Sequence, residues 1–280
     1  MFLFAKNRTG LMLSDHMIRF VTLRMDGDKT TLSAFGETVI PEGVIENGKV
    51  TKQEVLLPIL KTFKKTHSLK EIYIPIQNRE ITDMLTQAGF AVTPTISEPE
   101  ALVVALGGTG FPGRSLVVDM GMYKTGMMLV QDGEILTSTS LYFGVRGLEM
   151  IVEKMFGLSV SNAQTIVREQ GIIDTPENER VSEVLLTAVS VIVAEIEKLH
   201  MEWMLEYSGE KVDAIVLLGE GALVNGFADY LGLKIRVPVM RADTWAGTTV
   251  RSDDTVPAMS YRDSLTYAVV IGLAQNAFLI

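Results

Sequence analysis

The residues best placed to do chemistry are Asp119 and Gly121, in the run Ser115-Leu-Val-Val-Asp119-Met-Gly121-Met-Tyr-Lys-Thr125. An apolar run of this kind reads as a buried strand. It hands one carboxylate, Asp119, to the lip of a glycine turn before the chain returns and turns again at Asp132-Gly133. A carboxylate in that place can hold a hydrated cation. The same rhythm occurs earlier, where Gly10-Leu-Met12-Leu-Ser14-Asp15 leads into an apolar return and the turn Asp26-Gly27. The chemistry there differs, because Met12 and Ser14 stand where the later copy has Asp119 and Gly121, and a thioether cannot hold a hydrated cation.

Other chemical patterns carry less. Gly108-Thr-Gly110-Phe-Pro-Gly113 matches the letters of the dinucleotide fingerprint, but it precedes a strand and places Pro112 where a helix must open, so it reads as a loop. Gly43-Val-Ile-Glu-Asn-Gly48-Lys49-Val50 nearly matches a phosphate-binding loop. Val50, however, stands where Mg²⁺ needs a hydroxyl, and no strand feeds into the segment. His16, His67 and His200 lack metal-ligand spacing, and the absence of cysteine excludes disulfides, thiol catalysis and thiolate metal sites. With 34 acidic against 25 basic residues the net charge is -9, which disfavours nucleic acid as a partner. No apolar run reaches the roughly 18 residues a membrane span needs, and Met1 to Asn7 lacks the apolar core of a signal peptide, so the expected location is the cytoplasm.

A chain of 280 residues suits two lobes better than one, and no low-complexity linker separates them. After the first hairpin, Thr31 to Ile40 reads as a third strand. Thr51-Lys-Gln-Glu54 has the capping-box pattern of a helix start, with Val55, Leu56, Ile59, Leu60 and Phe63 on one face. Pro58 predicts a kink or a late start, and Lys61, Lys64 and Lys65 complement the dipole at the helix end. Glu71 to Ile76 reads as a short buried strand, and Ile81 to Ala88 and Glu98 to Leu106 as helices. Further on, Leu148 to Met155 and Ser161 to Gln170 read as helices, the second opened by Ser161-Asn-Ala-Gln164 and closed by Gly171. Val184, Ala188, Ile192, Ile196, Leu199 and Trp203 form the core stripe of a long helix. Asp213 to Leu218 and Lys234 to Val239 read as strands, Ala246 to Pro257 as a loop, and Tyr261 to Phe278 as the last helix.

The twin hairpins resemble the phosphate clamp of the actin, sugar-kinase and Hsp70 superfamily. Within it the chain is most similar to the PilM family of actin-like proteins of type IV pilus assembly. The landmarks are Met1-Phe-Leu-Phe-Ala-Lys, Pro41-Glu-Gly-Val-Ile-Glu-Asn-Gly-Lys-Val50, Ser97-Glu-Pro-Glu-Ala-Leu-Val-Val-Ala-Leu106, Leu217-Leu-Gly-Glu-Gly-Ala-Leu-Val-Asn-Gly226 and Tyr267-Ala-Val-Val-Ile-Gly-Leu-Ala274. The resemblance implies an α/β, actin-like (ribonuclease H-like) fold of two lobes, each on a mixed five-stranded sheet with flanking helices. The first lobe would be residues 1–112 completed by the helix in 258–280, and the second 113–257. The family's inserted subdomain would be missing here or cut to a loop.

For nucleotide the resemblance implies ATP with Mg²⁺, on a site that this sequence erodes. Asp119 and Gly121 match the family, and Asp119 would be the metal carboxylate, but Tyr123 and Lys124 replace its small Gly-Thr pair and leave only Thr125. In the first hairpin Ser14 adds a side chain, Asp15 could donate a displaced carboxylate, and Lys124 could replace the lost cation. At the purine end, Ala163-Gln164-Thr-Ile-Val167 lacks both charged contacts of the ribose helix unless Arg168 swings in. The adenosine loop is Gly219-Glu220-Gly221-Ala222, and Glu195 and Lys198 would contact the base or simply pair. These losses argue against catalysis. The implied role is a cytoplasmic scaffold that binds the N-terminal cytoplasmic tail of an inner-membrane pilus assembly protein, reaching the membrane only through that partner, with self-association left open. The net charge suggests a basic, apolar peptide on the first lobe, with Ile72 to Ile76 as one wall. The rival readings are an ATP-binding switch that uses Asp15, Asp119 and Lys124, a filament-forming actin, and a sugar or acetate kinase relative.

Overall fold

The computed structural model describes residues 6–27, 29–76, 79–107, 112–176, 178–207, 209–245 and 259–280. The landmark at Met1 to Ala5, the loop reading of Gly108 to Phe111 and that of Ala246 to Pro257 lie outside them. The chain divides into two compact units, one of residues 1–110 and 243–280, the other of residues 111–242.

In the first unit β1 (Lys6–Leu13) pairs antiparallel with β2 (Met17–Asp26), and β2 with β3 (Lys29–Val39). On its other side β1 pairs parallel with β6 (Glu71–Ile74), and β6 with β7 (Ala91–Pro94), giving the order β3-β2-β1-β6-β7. The second unit repeats this pattern. Here β8 (Arg114–Met120) is central, antiparallel to β9 (Thr125–Gln131), which pairs with β10 (Glu134–Leu141). Parallel to β8 runs β11 (Ala214–Leu218), followed by β12 (Val239–Arg241), in the order β10-β9-β8-β11-β12. The strands of the two apolar runs are therefore central in two separate sheets of identical strand order. This is the mixed α/β architecture the repeated hairpin implies.

Alternation along the strands explains the layers. Leu11, Leu13, Ile18 and Phe20 face one side, in one core with Leu56, Leu60 and Phe63 of α1 (Gln53–Thr66) and Ile81, Met84 and Leu85 of α2 (Arg79–Gln87). Val21 and Leu23 face the other side, with Tyr267, Val270, Ile271 and Ala274 of α8 (Tyr261–Asn276), which also packs against α3 (Glu98–Ala105). Each fully buried Leu, Ile or Phe of this kind contributes about 1.5–3 kcal/mol. Between β3 and α1 lies a small hairpin of β4 (Ile45–Glu46) and β5 (Lys49–Val50), turning on Asn47 (φ 51) and Gly48 (φ 73). The phosphate-loop look-alike is thus a hairpin turn of the Asn-Gly kind.

Several element readings need correction. The Thr51 hydroxyl donates to the carbonyls of Gly43 and Val44, so Lys52 is the N-cap of α1, without a side-chain cap. That helix is continuous through Pro58, so there is no late start. In the second unit the helix after α4 (Val145–Phe156) is capped by Ser159, whose hydroxyl accepts from the Asn162 amide. The helix α5 (Val160–Thr165) then passes into a π-turn, Ile166–Gln170, ended by Gly171. The segment read as a strand from Lys234 lies at the end of α7 (Phe227–Ile235) and the turn after it, and β12 starts only at Val239.

The long helix α6 (Glu179–Glu206) buries Ala188, Ile192, Ile196, Leu199 and Trp203 as its stripe requires, with Trp203 stacked on Tyr207 at 3.9 Å. His200 is also on the buried face, and burial, with a smaller effect from the charge of Lys211, pushes its pKa down. The folded state therefore resists a proton that the unfolded chain accepts at about pH 6.5. The melting temperature should hold above that pH and fall as pH drops below it. His200→Leu should flatten that part of the slope, and an unchanged slope would show that His200 does not titrate with folding.

A glycine-tight corner in the second unit

Because β11 runs parallel to β8 with Leu218 opposite Asp119, the residues that follow the two strands emerge side by side. This register brings Asp119, Gly121, Lys124, Thr125 and the loop Gly219-Glu220-Gly221-Ala222 to one corner. The turn after β8 is closed by the Gly121 amide donating to the Lys124 carbonyl at 2.9 Å. Thr125 is fully buried, and its hydroxyl donates to the Phe143 carbonyl at 2.7 Å. The opposing loop is pressed against the end of β8. A Cβ on Gly219 (φ +76) would lie 2.5 Å from Asp119 Oδ1 and 2.6 Å from the Met120 carbonyl, and one on Gly221 would lie 2.3 Å from Met120 Sδ. Both glycines therefore have a packing reason that needs no ligand. Glu220, at 7 % exposure, is buried in this corner, and its Oε2 is 3.8 Å from where a Cβ on Gly121 would stand. Ala222 accepts from the Arg241 guanidinium through its carbonyl at 2.8 Å.

The start of α4 docks on the same turn. The Val145 and Arg146 amides donate to the carbonyls of Gly121 and Met122 at 3.1 and 2.8 Å. These are two of the orphan donors that make a helix N-terminus attractive to anions, and here backbone carbonyls occupy them. The approach is close enough that a Cβ on Gly144 would come 2.3 Å from the Gly121 carbonyl.

One cluster escaped the sequence reading. The Arg146 side chain bonds Glu149 at 3.3 Å and Glu153, and Glu149 is fully buried. Burial pushes the Glu149 carboxyl up, and Arg146, a hydrogen bond from Gln164 and the charge of Arg168 pull against it. Gln164 and Arg168, considered above for a ribose, thus face Glu149. The sequence signal was a polar stripe at helical spacing, Arg146, Glu149 and Glu153, on a helix that starts at Val145, before the Leu148 expected from the sequence.

The remaining candidates lie elsewhere. Glu195 and Lys198 form a 3.7 Å pair on α6 with side chains 41 % and 63 % exposed, which contributes little. Ser14 and Asp15 belong to the first unit. The Ser14 hydroxyl donates to the Met17 carbonyl, and the Asp15 carboxylate accepts from the Asn47 and Gly48 amides at 2.7 and 2.9 Å. Met12 packs against the cluster that holds Val21, Leu23, Tyr267 and Ile271. Of the expected groove wall, Ile72 and Ile74 are fully buried in the core shared with α1 and α2, and Ile76 is exposed.

Comparison with known proteins places this geometry. The chain is 22% identical over 243 residues to the cell shape-determining protein Mbl of Bacillus subtilis, covering 71% of this chain and 73% of Mbl. Among solved structures it is similar to a PilM-PilN type IV pilus biogenesis complex, with a TM-score of 0.80, 14% identity and coverage of 96% of this chain and 98% of that one. It is also similar to the ethanolamine utilization protein EutJ of Carboxydothermus hydrogenoformans, with a TM-score of 0.71, 16% identity and coverage of 96% and 89%. A third is MreB5 of Spiroplasma citri bound to ADP, with a TM-score of 0.63, 14% identity and coverage of 95% and 94%. These likenesses establish the actin-like fold. The family model of the type IV pilus assembly protein PilM matches residues 94–278, most of the chain, and the chain belongs to that family.

Proposed function

We propose that this protein is an actin-like scaffold of type IV pilus assembly or a related secretion machine, which binds the cytoplasmic tail of an inner-membrane partner and is held at the membrane by it. Membership of the PilM family carries this reading. It is supported by the likeness to a chain solved as a PilM-PilN complex. Among the described residues no helix is long and apolar enough to cross a membrane, so attachment through a partner suits the fold.

The first unit offers a surface for such a tail. Between the edge strand β3 and α1 runs a groove of about 290 Å³ lined by Thr38, Pro58, Ile59, Thr62, Phe63, Thr66 and His67. Behind it β3 packs closely on the lining His67, since a Cβ on Gly36 would come 2.9 Å from the rings of both His67 and Phe20. Lys61 and Lys65 stand exposed beside the lining residues of the helix. The segment that fits is therefore apolar, with neutral or acidic residues beside it, rather than the basic peptide that the net charge suggests. The test is a pull-down with cytoplasmic tails of membrane proteins encoded beside this gene. Ile59→Asp is expected to weaken capture by about tenfold or more, a loss of about 1.4 kcal/mol, while the melting temperature stays near that of the unaltered protein. Tails that bind equally well to the variant would move the site, and no tail binding at all would sink the scaffold reading.

ATP with Mg²⁺ belongs to this proposal only as a weak ligand. MreB5, of the same fold, was solved with ADP, but in this chain the Asp15 carboxylate and the first amides of α4 already bond protein groups.

A further inference from the structure

Sheet edges are normally guarded against pairing with another chain by charge, proline or shortness. Three of the four edges here follow that rule. β3 carries Lys29 and Glu37, β7 is short and ends at Pro94, and β12 is Val239–Arg241 with a charge at its end. The fourth, β10, does not. From Ile135 to Leu141 it has no charge, no proline and no glycine, in a chain of net charge -9. Thr137 to Ser140 are exposed, so among the described residues no helix covers either face there, and β9 is the strand that pairs with β10.

The hydrogen-bond phase shows what the edge presents. The Gly121 amide bonds the Lys124 carbonyl, and the Asp132 amide the Gly113 carbonyl, so Lys124 and every second residue after it on β9 bond β8. Thr125, Met127 and Leu129 then bond β10 through Leu141, Thr139 and Thr137. The backbone groups of Ser138 and Ser140 point outward. The single irregularity, between Ile135 and Thr137, leaves the rest of the strand regular.

We propose that β10 pairs antiparallel with β10 of a second copy of this chain, about a two-fold axis at Thr139. In that register Ser138 of one copy faces Ser140 of the other, which are the residues whose N–H and C=O point outward, so every outward group finds its complement. The two-fold also brings the end of one strand with exposed Leu136 (42%) beside the end of the other with exposed Tyr142 (63%), so apolar side chains stand at both ends of the contact. Two chains of net charge -9 repel in general, and this neutral strip lets them approach without opposing like charges. The inference does not depend on the pilus reading, and absence of tail binding would leave it standing.

The absence of native cysteine makes the register directly readable. Thr139→Cys places one thiol on the axis, where facing residues are close enough for a disulfide, whereas Thr137→Cys faces Leu141 and is displaced along the strand from its own copy. Under mild oxidation Thr139→Cys should cross-link to a dimer, and Thr137→Cys and Thr31→Cys on β3 should not. The unaltered protein should also show dimer by light scattering over a dilution series. Ser138→Lys with Ser140→Lys should weaken that dimer by about tenfold or more without changing the melting temperature. A protein that is monomeric throughout, or cross-linking no stronger at Thr139 than at Thr31, overturns the proposal, as does a dimer indifferent to the double lysine variant.

Discussion

Gly272→Ala is expected to destabilise the protein by about 3 kcal/mol or more. A Cβ at this position of α8 would stand 1.8 Å from the carbonyl oxygen of Ala101 and 2.6 Å from its carbon, both backbone atoms of α3. The same helix touches the central strand through another glycine, since a Cβ on Gly10 would lie 2.1 Å from the Val270 carbonyl. With β1 on one side and α3 on another, α8 has little room to move away, and residues Tyr267 to Ala274 are buried throughout. Neither neighbour is a flexible side chain that could swing aside. Gly27→Ala is the control. It has the positive φ of 60 but nothing within 4 Å, so only the left-handed backbone cost of about 1–2 kcal/mol applies. Thermal melting of the two variants should rank them in that order, and a Gly272→Ala protein that melts like the unaltered chain would show that α8 and α3 are not so close.

What the sequence made legible follows from which forces are local. The two apolar runs ending near Leu13 and Asp119, each followed by a turn and an apolar return, carry their strand order in alternation and turn chemistry, and both became central strands. The stripe on α6 was legible for the same reason. The helix starts were not. Ser159 and Ser161 both stand near the start of a helix, and Ser159 takes the cap because its hydroxyl accepts from the Asn162 amide, two residues earlier than the pattern suggested. Thr51 was lost to carbonyls of the β3–α1 connection. The run after Lys234 alternates like a strand, yet α7 continues to Ile235 and stops at Arg236 in the left-handed region (φ 58), a choice made by packing. Within the corner, the sequence found Asp119 and the glycines, because a strand end and a glycine turn are local. It missed Glu149, whose burial depends on α5 and the π-turn folding over it. It could not foresee that Asp15 would be taken by a hairpin some thirty residues on, with separations of 32 and 33.

Titration of ATP with Mg²⁺ into the protein is expected to give weak or undetectable binding, and no hydrolysis above background. Several of the groups that would do the work are employed elsewhere. Met12 is packed in an apolar cluster, and Asp15 holds the Asn47 and Gly48 amides. The first amides of α4 are bonded to Gly121 and Met122, and Gly219 and Gly221 lie against Asp119 and Met120 with no space for a side chain. A cation carboxylate contributes several kcal/mol to phosphoryl transfer, and Met12 supplies none. Met12→Asp with Ser14→Gly and Tyr123→Gly restores the hairpin pattern that the actin-superfamily resemblance implies and should tighten binding. Its melting temperature should fall, because an aspartate at position 12 replaces apolar contacts with Val21, Leu23, Tyr267 and Ile271 by a charge that needs a cation. Added Mg²⁺ and ATP should then recover part of that loss by mass action, an effect the unaltered protein should not show. A constant in the micromolar range or tighter for the unaltered chain, about -8 kcal/mol or better, would instead mean that the committed contacts open to admit nucleotide.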